Sequence, residues 1–224
     1  MTVKDLRIEL TSRVVMAQIL PFGLLILILF GLAISPDLVV VGEARRPVIE
    51  EIAPGLFWLT VLLSALMALG RAFALEADDG NLDALRMAGL DPAGVFLGKA
   101  LAVTVQLVAV ETVLGFGAFV VFGAPVARPG LLAATVLLAT VGITLAGTLY
   151  AALAAGLRVR DTLVPLLVLP VLAPVLLGAT QASRDALFAD PGVPGWSWAG
   201  LLAVFSLLYL GVGMLAFGPL LEES

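Results

Sequence analysis

The chain contains no cysteine and no histidine, and only 13% of its 224 residues are charged. Each shortage excludes a class of chemistry. There is no disulfide, no thiol nucleophile, no Cys/His zinc site, and no haem ligation by imidazole or thiolate. The missing cysteine says nothing about compartment. Soluble domains carry about 25% charged residues, well above the share here. Positive charge is scarcer than negative: 12 Lys and Arg stand against 17 Asp and Glu, a net charge of −5. No nucleic-acid partner is expected of such a surface. There is no Walker A sequence either, so ATP hydrolysis by this chain is not expected.

What the chain has in abundance is apolar: 61% of residues are hydrophobic and mean hydropathy is +1.14. A helix needs about 20 mostly apolar residues to cross the hydrocarbon core. Six segments meet that need, at roughly 17–36, 53–74, 94–122, 131–156, 162–180 and 198–221. The pattern predicts an all-α polytopic membrane protein, with residues 1–224 forming a single membrane-embedded domain. Lys4, Arg7 and Arg13 before "ILPFGLLILILFGLAIS" imitate a signal peptide. More spans follow, however, and Pro36 stands just after the small residues Ala33–Ser35, so the segment reads as an uncleaved first span. With the N-terminus inside, eight Lys and Arg fall on the inner side. Four (Arg45, Arg46, Arg128 and Arg184) fall outside. That bias puts both termini in the cytoplasm.

Ahead of the first span, Val3, Leu6, Leu10, Val14 and Ala17 recur at helical spacing with polar residues between them. This predicts an amphipathic helix lying in the inner interface; an ordinary charged lead-in is the plain alternative. Gly94, Gly98 and Ala102, and later Gly147, Ala151 and Ala155, repeat every four residues, as close helix packing requires. Span five holds Pro165, Pro170 and Pro174. Each removes a helix hydrogen bond, which predicts a kinked or broken helix. Such a helix can line a path or simply be tolerated by packing. After span five, "PGVPGWSW" reads as an interfacial aromatic anchor carrying Trp196 and Trp198, or as a re-entrant segment.

Two polar features interrupt the apolar pattern. One is "LEADDGNLDALRMAGLDP", Leu75 to Pro92, with five acids and one Arg between two spans. Asp79 or Asn81 can cap a short helix there, and Leu82 and Leu85 give it an apolar side. Gly89 suits its C-terminal cap, and Asp91-Pro92 reads as the N-cap and first residue of the next helix. The segment predicts a short helix held along the inner membrane face, either a force-transmitting contact or a solvated connector. It superficially resembles the metal-binding Asp-Gly-x-x-Ala-Arg motif of membrane phosphatidyltransferases. However, Asp83 and Ala84 stand where Ala and Arg are needed, and a single later acid, Asp91, stands where two are required. No metal site is expected.

The other is Glu111, in the middle of span three. A charged group there costs about 2.5–3.5 kcal/mol on insertion scales. It is expected to face the bundle interior. There it would serve a transport path or proton site, or bond to a neighbouring helix as a neutral group.

Larger blocks carry a resemblance. "IAPGLFWLTVLLSALMALGRAF" (Ile52–Phe73) presents Ala-Pro-Gly with Trp58, Ser64, Arg71 and Phe73. Asp79, Gly80, Leu82, Asp83 and Leu85 fit an Asp-Gly-x-Leu-acid-x-Leu loop. "AGTLYAALAAGLRVRD" and "LLVLPVLAPVLLGAT" fit the end of span four and a Leu-Pro/Pro span five. Together, over about residues 50–180, they resemble the CcmB family, membrane subunits of the cytochrome c maturation ABC transporter. Gly70 departs from the usual Glu, Asp83 from the usual Glu, and "MAGLDPAG" from a Pro-rich loop end; Glu111 matches no family residue.

The resemblance implies an ABC-2-like permease fold in the bacterial cytoplasmic (inner) membrane. The loop between spans two and three would be a coupling helix seated on a cytoplasmic CcmA-like ATPase. Leu82 and Leu85 would pack in the ATPase groove, while Asp79 and Asp83 cap the helix or meet basic groups. CcmC-like and CcmD-like proteins would be membrane partners. The output would be release of a haem-loaded periplasmic CcmE-like chaperone. This subunit would be non-catalytic and would bind no cofactor directly, with ATP entering through its partner and haem through the complex. Two alternatives stay open: another ABC-2-type exporter permease, or a secondary transporter acting through Glu111.

Overall fold

The computed structural model describes residues 18–33, 38–41, 44–78, 91–123, 125–155, 160–189 and 192–223. Among the described residues six helices build the body: α1 (Leu20–Ala33), α2 (Val48–Asp78), α3 (Pro92–Phe122), α4 (Pro129–Ala155), α5 (Arg160–Phe188) and α6 (Gly195–Glu223). Between α1 and α2 lies an antiparallel pair, β1 (Leu38–Val41) and β2 (Ala44–Pro47), which sets Val39 opposite Arg46 and Val40 opposite Arg45. The all-α expectation does not foresee this hairpin. Its first strand, Leu-Val-Val-Val, is a β-branched run that suits a pleated strand.

Helices α2 to α6 are each long and apolar enough to cross a membrane. At 1.5 Å per residue, α3 with its 31 residues extends about 46 Å, beyond the ~30 Å hydrocarbon core. The described part of α1 has 14 residues, about 21 Å, shorter by itself than that core. The predicted N-terminal interfacial helix lies outside the described residues. α2 starts at Val48, upstream of the expected boundary, so Pro54 lies inside the helix.

The bundle is organised around α4. Residues Gly142 to Leu149 are all buried, with no exposed stripe. A helix buried on every side needs small side chains so that neighbours can approach, and this stretch is rich in Gly, Ala and Thr. Gly147 meets the side chain of Leu69 on α2, and Gly142 meets Phe205 and Ser206 on α6. A Cβ at Gly147 would collide with Leu69. Around α4 one cluster joins Trp58, Leu62, Phe96, Leu107, Ile143 and Leu172. A second seam joins α1, α2 and α3 through Leu27, Leu69, Val110 and Leu114.

α5 packs through Val164, Val168, Leu172, Val175, Ala179, Ala182 and Ala186, spaced three or four apart. The helix runs unbroken past Pro165, Pro170 and Pro174. Of the two expected outcomes, a kinked or a broken helix, the break is absent. Pro170 and Pro174 lie on the exposed side, away from the packed seam. The lost N–H groups therefore fall where the ring has room, and the seam keeps the backbone helical.

α3 ends at Gly123, whose positive φ of 64° closes the helix with a bond from its N–H to the Phe119 carbonyl. Glycine accepts that conformation without steric cost.

Candidate functional site

Five helix termini meet at one end of the bundle, and they are fastened there. Arg128 precedes α4 and donates from Nη1 to Asp185 Oδ2 of α5 at 2.5 Å. The same oxygen accepts the N–H of Gly195, the first residue of α6, at 3.2 Å. Backbone bonds run from Ala127 N to Leu187 O and from Arg128 N to Ala186 O. Glu51, in the first turn of α2, pairs with Arg184 of α5. This latch joins α2, the α3–α4 connection, α5 and α6. Residues 181–188, read from sequence as the start of a loop, are the last turns of α5. The connection to α6 is short, and Trp196 stands 62% exposed at its far side, as an interfacial anchor would.

Glu111 lies one level deeper. It is 3% exposed and continues the buried stripe of Val103, Leu107 and Leu114 on α3. The α4 face opposite it carries threonine. Thr140 Oγ1 stands 2.6 Å from Glu111 Oε2 and 2.7 Å from the Val136 carbonyl. One turn further, Thr144 bonds Thr104 of α3 at 2.7 Å. Thr148, another turn on, is buried with no hydrogen-bond partner among the described residues. A threonine hydroxyl can satisfy itself on the carbonyl four residues back and so ride inside a helix at low cost. Glu111 Oε1 has no partner among the described residues.

Beside Glu111 opens a cavity of about 270 Å³. Its walls come from the latched halves of α2, α3, α4 and α5 and are mainly apolar, including Phe57, Phe119, Phe122, Leu132, Val136 and Leu187. Its polar groups are Glu111, Thr112 and Ser183. Ser183 accepts the indole N–H of Trp58 at 2.9 Å, tying α2 to α5. Trp58 is fully buried and meets the Phe57 ring edge-on, 5.4 Å between centroids.

The opposite end brackets the acidic segment. α2 runs to Asp78, and α3 restarts at Pro92 behind Asp91. As expected, Asp91 is the N-cap, its Oδ2 accepting from Gly94 N at 3.0 Å. Asp79, Gly80, Leu82, Asp83 and Leu85 lie outside the described residues. Arg71 and Phe73 lie on the α2 backbone, their side chains outside the description. Among the described residues, no group of three or more His, Cys, Asp or Glu could hold a metal ion.

The sequence reading singled out Glu111 and Trp58 and missed Thr140, Ser183 and Asp185. Threonines at 140, 144 and 148 were a signal available in the sequence, since a polar stripe at four-residue spacing inside an apolar span must find partners. Arg128 and Asp185 are 57 positions apart, and nothing local links them.

The whole chain, residues 1–224, matches the family described as "CcmB protein". The chain is 34% identical to "Heme exporter protein B" of Paracoccus denitrificans over 84% of each chain. It is 34% identical to "Heme exporter protein B" of Rhodobacter capsulatus over 89% of this chain and 88% of the relative. The same-named protein of Bradyrhizobium diazoefficiens is 31% identical over 91% and 87%. With the sequence matched from end to end, the chain belongs to the CcmB protein family.

Proposed function

We propose that this chain is the non-catalytic membrane subunit of a haem-export ABC system for c-type cytochrome biogenesis in the bacterial inner membrane. It crosses the membrane six times in an ABC-2-like permease domain over residues 1–224, with both termini cytoplasmic. The latched end then faces the periplasm. The observation that carries the reading is the bracketing of residues 79–90. Two long apolar helices, packed on each other and on α4, end and restart around one short acidic segment. A contact on that segment is covalently continuous with both spans.

In this reading Asp79, Gly80, Leu82, Asp83 and Leu85 form the coupling helix. Leu82 and Leu85 pack into a groove of a separate ATPase subunit of the CcmA type. The two Asp cap the helix or meet basic groups on that subunit. ATP acts through the ATPase, and haem is handled by the complex, with CcmC-like and CcmD-like membrane partners and a CcmE-like chaperone as recipient of the stroke. The chain itself binds no cofactor. Family membership favours this over a general ABC-2 exporter and over an ion-coupled carrier working alone.

The test is the double variant Leu82→Asp/Leu85→Asp in the native membrane. The expected outcome is loss of the ATPase from affinity-purified complex and loss of cytochrome c maturation, with the thermal unfolding of the membrane subunit unchanged. A double variant that retains both the ATPase and maturation would sink the coupling assignment.

A further inference from the structure

A proline inside a helix affects two places. It has no N–H, so the carbonyl four residues earlier loses its intrahelical donor. α5 continues through Pro165, Pro170 and Pro174, which takes that donor from the carbonyls of Asp161, Leu166 and Pro170. Asp161 stands beside Arg160 at the very start of the helix, where water can serve it. Leu166 and Pro170 lie deeper. About 9 Å and 15 Å of helix separate them from Arg160, and about 27 Å separate Pro170 from Phe188. Both fall within Val164–Phe188, the part of α5 that is long and apolar enough to cross a membrane.

These two carbonyls belong to the outward side of the helix. Leu166, Leu169, Pro170, Ala173, Pro174 and Leu177 are all exposed, Leu166 to 64%, while the seam of α5 on its neighbours runs along the other side. Acyl chains hold no donor, so a backbone carbonyl that faces them stays unmet, which is costly in a bilayer. The donor has to come from protein. A second copy of this chain is poorly equipped to give it. Among the described residues, the exposed sides of the helices carry one side-chain donor away from their ends, Thr112, and its hydroxyl already donates to the Val108 carbonyl. Ala173, between the two proline rings, adds little bulk, so another helix can come close enough for interhelical hydrogen bonds.

We propose that the outward face of α5, from Leu166 to Leu177, is the docking surface for one span of a different membrane protein, which presents hydroxyl, indole or amide donors to the carbonyls of Leu166 and Pro170. The prolines give an apolar helix surface two acceptors without any polar side chain. The inference rests on α5 crossing the membrane, as proposed above, and it stands whether or not the 79–90 segment seats an ATPase.

The full chain would be expressed in its native membrane with the photoreactive residue p-benzoylphenylalanine in place of Leu169 or Ala173, and the adducts mapped by mass spectrometry. The expected result is that both positions join to the same transmembrane peptide of another protein, with a Ser, Thr, Tyr, Trp, Asn or Gln within one helical turn of the cross-linked residue. Pro170→Ala restores an N–H to the Leu166 carbonyl, and Pro174→Ala restores one to the carbonyl of residue 170. Each should lower the adduct yield about threefold to twentyfold, the weight of one interhelical hydrogen bond. Alanine is the better helix former, so thermal unfolding of the subunit should stay where it is or rise, and a lost adduct cannot be put down to misfolding. Yields that neither variant lowers would overturn the proposal. So would adducts with lipid alone, adducts with a second copy of this chain, or a partner peptide without such a donor. Reaction of Leu169→Cys with a water-soluble maleimide in intact membranes would overturn the span reading of α5 and the proposal together.

Discussion

Asp185 and Glu111 are two carboxyl groups buried in the same half of the bundle, 1% and 3% exposed, yet they sit in opposite surroundings. Asp185 Oδ2 is held by an arginine and by the N–H that opens α6. Glu111 has one threonine on one oxygen and, among the described residues, no basic partner there, and the residue lines a cavity. Burial alone therefore does not mark function. Each carboxyl leaves one oxygen without a partner among the described residues; the question is whether the other oxygen meets a counter-charge. At Asp185 the shared oxygen ties two helix starts, those of α4 and α6, to the end of α5, which is the work of a fastener. At Glu111 the partner is a single neutral hydroxyl, and no helix terminus is tied.

That contrast predicts unequal costs of removal. The largest should come from Arg128→Ala. It leaves the Asp185 carboxylate buried with only Gly195 N–H on that oxygen, and because the arginine is partly solvated the cost is about 2–3 kcal/mol, below the ~3–5 kcal/mol of a fully buried pair. Because Arg128 is 44% exposed, the reverse change, Asp185→Asn, should cost less: the freed guanidinium can reach water. Free energies of SDS-induced unfolding would rank the two variants, and equal costs would mean that the latch is not an ion pair in substance. Trp58→Phe comes next. It removes the indole donor from buried Ser183 and leaves a small void, for about 1–3 kcal/mol by the same measurement. The smallest effect should be that of Glu111→Leu. Thr140 keeps its bond to Val136 O, no polar group is orphaned, and a costly acid leaves the span. Unfolding free energy should stay within about 1 kcal/mol of the unaltered chain or rise. A large destabilisation by Glu111→Leu would make Glu111 a second fastener and erase the contrast.

Much of the fold was legible because its signals are local. Hydropathy marks five of the long helices, Asp91-Pro92 marks the start of α3, and the Gly and Ala repeats mark close packing. The errors also have local causes. The prolines of span five suggested a break because their cost is counted within one helix. The seam from Val164 to Ala186, along which α5 stays a continuous helix, is set by neighbouring helices. The last turns of α5 read as loop because Ser183, Arg184 and Asp185 look solvent-seeking until their partners on α2 and before α4 are known. The hairpin was missed because four residues of β-branched character are too few to register beside runs of twenty. At the candidate site, Glu111 was visible as a lone acid in an apolar run. The cavity beside it was not, since a void is made by side chains from four helices and has no sequence of its own.

The latch has a mechanical consequence. Bonds that join α2, the α3–α4 connection, α5 and α6 at one end make that end a fulcrum. α2 and α3 then behave as levers, hinged where the latch holds them and packed on α4 and α6 along their length. A push at the tip of a rod about 46 Å long becomes rotation, about 4° for every 3 Å of displacement, with the smallest travel beside the hinge. Motion entering at segment 79–90 would thus be geared down before it reaches the latched end, trading distance for force.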